Sequence, residues 1–307
     1  GRLSNVRTRP IRTMKLLNVT RLMSEMIHTA IQELEENGQR LAGIGLSLPS
    51  PLVDRKAAYS GFLKPLENFN FYEMLRREFR CPIFVENDAD AGALAESWFG
   101  AANGVRRAYY LTVYHGIGSG FAYDREPYYG IRKITPEFGH STLDPDGAAC
   151  FCGGRGCLAA IASDLALCNY TLNGGTLTDD LGTDMDRLLR HTDRVIYRLA
   201  KTLPQSMPPY VWTCADRLGI GIANLTDILC PDLVIVSGRI FEIPGFFDRV
   251  ERSARQTVHP MLSDHLHISL SQLGEDAPLV GAGTFALRRL YTDPYLISSS
   301  GDELDQA

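Results

Sequence analysis

Between residues 18 and 37 the apolar side chains Leu22, Met23, Met26, Ile27, Ala30, Ile31 and Leu34 recur at three- and four-residue intervals. That spacing predicts one amphipathic helix, with Gly38 as its stop. The glycine-containing apolar run 41–48, ended by Pro49, predicts a buried parallel strand. A helical pattern over 71–79 leads to a second strand at 83–85, which ends in Glu86-Asn87-Asp88. A further helix opens near Asp88 and runs through Ala89, Ala91, Ala93, Leu94, Ala95 and Trp98. Residues 108–113 and 120–123 predict two strands separated by the segment His115-Gly116-Ile117-Gly118-Ser119. From 158 to 229 the chain is mostly helical, interrupted at Gly174, Gly175 and Gly182 and at Pro204, Pro208 and Pro209. Strands at 232–236 and 267–270 complete the pattern, and a polar tail follows Pro294. Strands alternating with helices, with glycine at the strand ends, specify an α/β architecture.

The chain has 307 residues, 45% hydrophobic and 22% charged, enough for two lobes of an ordinary globular protein. A net charge of −5 excludes extended nucleic-acid binding by these residues themselves, since phosphate affinity comes from clustered Lys and Arg. The short basic stretch 2–15 reads as a solvated strand face. No apolar run reaches the roughly 20 residues of a membrane helix, so no membrane insertion is expected and the cytoplasm is the expected compartment.

Chemistry concentrates in residues 137–157, EFGHSTLDPDGAACFCGGRGC. His140, Cys150, Cys152 and Cys157 form a His/Cys₃ set suited to a tetrahedral zinc ion, and Gly153, Gly154 and Gly156 let the backbone curl so that Cys157 closes the shell. Four protein ligands leave no open position, so the ion is structural. The alternative, that these are ordinary packed thiols, suits Cys81, Cys168, Cys214 and Cys230, which sit in apolar sequence. An odd cysteine count in a long chain without a signal peptide argues against a disulfide framework.

In order along the chain, LAGIGLSLPSPLVD (41–54), ENDADAGALAE (86–96), the 137–158 segment, LGIGIANL (218–225), DLVIVSG (232–238) and residues 277–286 resemble the ROK family of sugar kinases and sugar-responsive repressors. The resemblance implies a two-lobed actin/hexokinase-like, ribonuclease H-like fold with a zinc loop. The small lobe would comprise 1–101 and 280–307, without its first two strands, and the large lobe 102–279. It assigns sugar contact to Asn87, Asp88, Glu137 and His140, with Asp88 the general base in a kinase, and more weakly to Gly61, Asn68 and Asn70. Gly116, Gly118 and Gly238 match its nucleotide-binding positions. On residues alone, Asp88 or Asp90 also reads as a helix cap, and Glu137 as a solvated surface glutamate.

Three departures separate the chain from the kinase pattern. The family's Asp-x-Gly-Gly-Thr phosphate turn is missing; Tyr114-His115 stand where its second phosphate turn has Gly-Thr; and Ala159 replaces a sugar-binding glutamate. The expected function is therefore the effector domain of a ROK regulator, binding a monosaccharide or sugar phosphate. DNA would be bound by an upstream helix-turn-helix domain, in a homodimer or tetramer. The alternative is an ATP- and magnesium-dependent sugar kinase, and a minor one a protein-binding scaffold.

Overall fold

The computed structural model describes residues 3–11, 15–58, 64–131 and 134–292. Gly61 and the tail after Pro294 lie outside them. Helix α1 (Leu16–Glu36) precedes strand β1 (Ile44–Leu48), the small hairpin β2 (Leu52–Val53) and β3 (Lys56–Ala57), and helix α2 (Phe71–Glu78). Strand β4 (Ile83–Asn87) then runs directly into helix α3 (Asp88–Phe99). Strands β5 (Arg107–Val113), β6 (Ile117–Tyr123) and β7 (Glu126–Pro127) follow. The helical stretch holds α4 (Leu158–Ala162), α5 (Asp164–Leu172), α6 (Asp180–Thr183), α7 (Met185–Ala200) and α8 (Pro209–Leu229). Strand β8 (Leu233–Ser237), helix α9 (Phe246–Thr257), strand β9 (Ile268–Leu270) and helix α10 (Ala277–Thr292) end the described chain.

Strands β1 and β4 pair in parallel, Ile44 opposite Ile83 and Leu48 opposite Asn87. The larger sheet is mixed, in the order β7-β6-β5-β8-β9: β5 is antiparallel to β6 and parallel to β8. The sequence predicted β1 as a buried parallel strand. It is parallel, but all five residues are only half-buried, because among the described residues β4 is its one strand neighbour. One face of β1 rests on α1 and α2 through Leu46, Met23 and Phe71; on the other, α10 approaches so closely that a Cβ on Gly45 would meet the Ala282 carbonyl at 2.1 Å. Likewise, the predicted glycine turn is shorter than expected. Ile117, Gly118 and Ser119 belong to β6, since Val113 pairs with Ile117 across the reversal.

The largest core lies on the β5–β8 side of the mixed sheet, where Leu111, Leu158, Leu165, Leu218 and Phe246 are inaccessible to solvent. On the opposite face, α3 packs through alanines: Ala89 and Ala93 contact Tyr110 and Ala122. A Cβ at Gly120 would fall 2.3 Å from the Ala89 carbonyl, so glycine in β6 permits this close helix–sheet packing. Residues 3–11, read as part of a basic strand face, form no strand; they run along the surface, with Arg7 paired to Glu33. Cys168 and Cys214 are buried as expected, whereas Cys81 is half-buried and Cys230 is exposed. Cys230 sits at φ 44° just past α8, turned outward where the helix ends.

Candidate functional site

A cavity of about 270 Å³ opens where the β4–α3 junction faces the β5–β6 turn and the segment leading to the cysteine hairpin. Asn87, Asp88, Glu137, His140, Gly116 and Gly118 all line it. Six residues picked from distant parts of the sequence thus converge on one space. Gly238 lies behind the turn instead, at φ 145°, where a Cβ would strike the Val113 carbonyl at 2.0 Å. Asn68 and Asn70 serve local structure: Asn68 occupies a left-handed position at φ 61°, and the Asn70 side chain caps α2 by accepting from the Glu73 amide at 3.0 Å.

The α3 cap is Asn87 rather than either aspartate. Its Oδ1 accepts from the Ala89 amide at 2.9 Å and the Asp90 amide at 3.2 Å. This leaves Asp88 in the first turn of α3, its residue partly open to the cavity. Burial pushes the Asp88 carboxyl up to about 7; the amides of Ala89 and Asp88 itself oppose that shift and Glu137 adds to it. Glu137 is open to solvent across the cavity, yet burial on its other sides also raises its carboxyl.

Beneath them lie two acidic groups that the sequence did not assign to the site, Glu86 and Asp90. Glu86 accepts from the Tyr129 hydroxyl at 2.6 Å. Asp90 is buried, and burial first, then Glu86, hold its carboxyl well above the ordinary range, with a hydrogen bond from Thr135 working against them. The strand-end run Glu86-Asn87-Asp88-Ala89-Asp90 carried a visible signal in its density of carboxylates, but which of them faces the cavity depends on the helix turn that Asn87 starts.

The segment 137–140 is fixed to β6 at two points. Ser119 donates its hydroxyl to the Pro136 carbonyl at 2.5 Å and accepts from the Phe138 amide at 3.3 Å. Gly139 passes so near β6 that a Cβ would meet the Ile117 carbonyl at 1.9 Å. Glutamate and histidine are thereby held on either side of a glycine that has no room for a side chain.

From His140 the chain enters the cysteine hairpin. Short bridges Thr142↔Cys157 and Ala149↔Arg155 close it, and Gly153 and Gly156 take φ of 90° and 59°. One ligand atom from each of His140, Cys150, Cys152 and Cys157 lies within 4.8 Å of all the others. His140 Nδ1 is 3.6 Å from Cys150 Sγ, and Cys152 Sγ is 3.6 Å from Cys157 Sγ. Bond lengths of about 2.0 Å to nitrogen and about 2.3 Å to sulfur give tetrahedron edges of about 3.6–3.8 Å, so the set fits a single divalent ion. Burial pushes the Cys150 and Cys157 thiols up and His140 down, which favours uncharged side chains until a cation supplies the missing charge. Phe151, between two of the thiols, stands edge-on to His140 with centroids 5.1 Å apart.

The departures from the kinase pattern are also visible. Tyr114 and His115 line the cavity at the β5–β6 turn. Ala159 is completely buried in the main core, so no carboxylate projects from that position.

The ROK family profile matches residues 10–289. A xylose repressor from Caldicellulosiruptor bescii is 26% identical over 89% of this chain and 69% of its own length. A glucokinase from Halalkalibacterium halodurans is 28% identical over 79% of this chain and 75% of its own. Among solved structures, the ROK hexokinase from Thermus thermophilus superimposes with a TM-score of 0.71 at 30% identity, covering 88% of this chain and 87% of that one.

Proposed function

The chain belongs to the ROK family, and from that premise we propose that it is the sugar-sensing effector domain of a transcriptional regulator. A repressor among its relatives supports the class, as a glucokinase supports the sugar-kinase alternative. The observation that carries the reading is the convergence of Asp88, Glu137 and His140 on one cavity whose far wall is Tyr114 and His115. Asp88 and Glu137 offer acceptors, and the Asn87 amide a donor, for the hydroxyls of a monosaccharide or its phosphate ester. The bulky pair at the turn stands where a phosphoryl-transfer site needs close backbone approach to phosphate.

In this reading residues 1–101 with 280–307 form the small lobe, and 102–279 the large one. Sugar between them favours a closed form, which biases DNA binding by a helix-turn-helix domain elsewhere in the protein, in a homodimer or tetramer. Zinc held by His140, Cys150, Cys152 and Cys157 is structural. It fixes His140 beside the sugar and supplies the charge that keeps three thiolates together.

Titration calorimetry of the zinc-loaded chain against monosaccharides and their phosphates tests this. One of them should bind, and Asp88→Asn should weaken it by about 10–100-fold, the equivalent of losing a charge-assisted hydrogen bond. No binding across the panel overturns the proposal.

One observation favours the kinase: a carboxyl near pH 7 is suited to general-base work, as Asp88 is. ADP release that depends on sugar and disappears in Asp88→Asn decides for catalysis.

A further inference from the structure

The wall of the cavity nearest the β5–β6 turn has a composition that bears on the ligand's charge. Gly116 and Gly118 lie in and beside a strand reversal that lines the cavity, the sort of backbone to which an anion can come close enough to meet amides. Here that approach is covered. The Phe151 ring lies 3.5 Å from where a Cβ of Gly116 would be, so the space between this glycine and the cysteine hairpin holds a methyl-sized atom and no phosphate group. Tyr114 occupies the adjoining position, with its hydroxyl buried. Among the described residues the carboxyl groups on the wall are Asp88 and Glu137, its two histidines, 115 and 140, are driven towards the neutral form by burial, and no lysine or arginine lines it. Behind the turn, Arg239 is engaged by Asp193 at 3.3 Å and Glu275 at 3.9 Å, so its positive charge is matched by carboxylates.

We infer that the cavity selects an uncharged polyhydroxylated ligand against its phosphorylated form, because Asp88 and Glu137 face the ligand while Phe151 and Tyr114 cover the turn at which a phosphate would dock. Hydroxyls donate to carboxylates and satisfy them, whereas a phosphate brings a second anion into the same partly desolvated space. Like charges set against each other at a recognition surface discriminate between ligands even when the remaining contacts are identical. Phe151 and Tyr114 are specificity-determining residues in this scheme. The ring's position between two metal ligands ties the exclusion to the hairpin that holds His140.

This inference rests on the sugar-sensing reading, and one calorimetric experiment separates the two. The zinc-loaded chain is titrated with D-glucose, D-mannose, D-galactose and D-xylose, with the 6-phosphates of the hexoses, and with inorganic pyrophosphate. A free sugar should bind at least about 100-fold more tightly than its 6-phosphate, a gap of two factors of ten in Kd. If the best ligand is D-xylose, the hexose 6-phosphates and pyrophosphate should give no heat at 100 times its Kd. A phosphate ester that binds as well as the free sugar overturns the inference and leaves the sensing reading intact. If neither class binds, the sensing reading fails and takes the inference with it.

Two variants locate the cause, each checked for unchanged metal content and thermal unfolding. Glu137→Gln should narrow the gap between sugar and ester about tenfold, and an unchanged gap overturns the role of its charge. Phe151→Ala should raise pyrophosphate affinity about tenfold, and no rise overturns the covering role of the ring.

Discussion

Asp164 shows how far a single residue can be set apart from its ordinary chemistry. It is buried at the first turn of α5, its Oδ1 without a hydrogen-bond partner among the described residues. Burial pushes its carboxyl up to about 8, the Leu165 amide opposes this, and Asp193 reinforces it while Arg239 works against it. The folded chain therefore keeps a proton that the unfolded chain has lost between about pH 4 and about pH 8, so this residue's contribution to stability falls as pH rises through that window. Asp88 acts with the same sign up to about pH 7. Asp164→Asn removes the ionisation, and its advantage over the parent chain should grow from pH 5 to pH 8.5 by on the order of 2 kcal/mol. Urea unfolding at the two pH values measures it, and an equal difference at both would show that the carboxyl is not held protonated. Nothing in the local sequence AIASDLAL announced such a group; an aspartate after a serine reads as part of a helix start, and Ser163 is indeed the cap, accepting from the Ala166 amide at 3.2 Å.

The cysteine hairpin is the element on which the site depends. It was legible because its ligands are close in sequence: three thiols in eight residues, with glycines at the two left-handed positions 153 and 156, leave few other arrangements. Arg155 and the Ala149 amide both bond to Asp179, which anchors the hairpin to the start of α6. Complete removal of metal with a chelator should lower the unfolding temperature by roughly 5 °C or more, and should weaken sugar binding at least about tenfold through His140. Metal analysis, thermal unfolding and calorimetry on one sample check this. Undiminished sugar affinity in the fully metal-free chain would separate the hairpin from the pocket. The β5–β6 reversal was less legible, since Gly-rich sequence reads as a turn wherever it occurs, and only the pairing of Val113 with Ile117 assigns residues 117–119 to a strand.

At the scale of the molecule, α3 and α10 join the two sheets. Helix α10 crosses α3 closely, for a Cβ on Gly281 would meet the Ala91 carbonyl at 1.9 Å, and the same helix covers β1 at Gly45. The cavity draws Ser50 and Pro51 from beyond β1, Asp88 from the head of α3, and Tyr114 and Glu137 from the side of the mixed sheet. A ligand bound there touches segments on both sides of the cavity, so it should favour a closed arrangement. Small-angle scattering at saturating sugar should show a radius of gyration smaller by about 1 Å, together with stabilisation of about 2.7 kcal/mol at a ligand concentration 100 times Kd. Stabilisation with no change in radius would mean that the domain senses sugar without closing.

What the sequence by itself determined is whatever depends on neighbours along the chain: helix and strand periods, the His/Cys₃ cluster, the strand-end pair Asn87-Asp88, and through them the family. Period and ligand spacing are local properties, and a single chain displays them in full. Which aspartate faces the cavity, that Asn87 rather than an aspartate caps α3, that Phe151 stands beside Gly116, and that Cys230 turns outward were decided only by tertiary structure. Each depends on what a distant segment places against the residue, and on the burial that placement brings, which no spacing along the chain encodes.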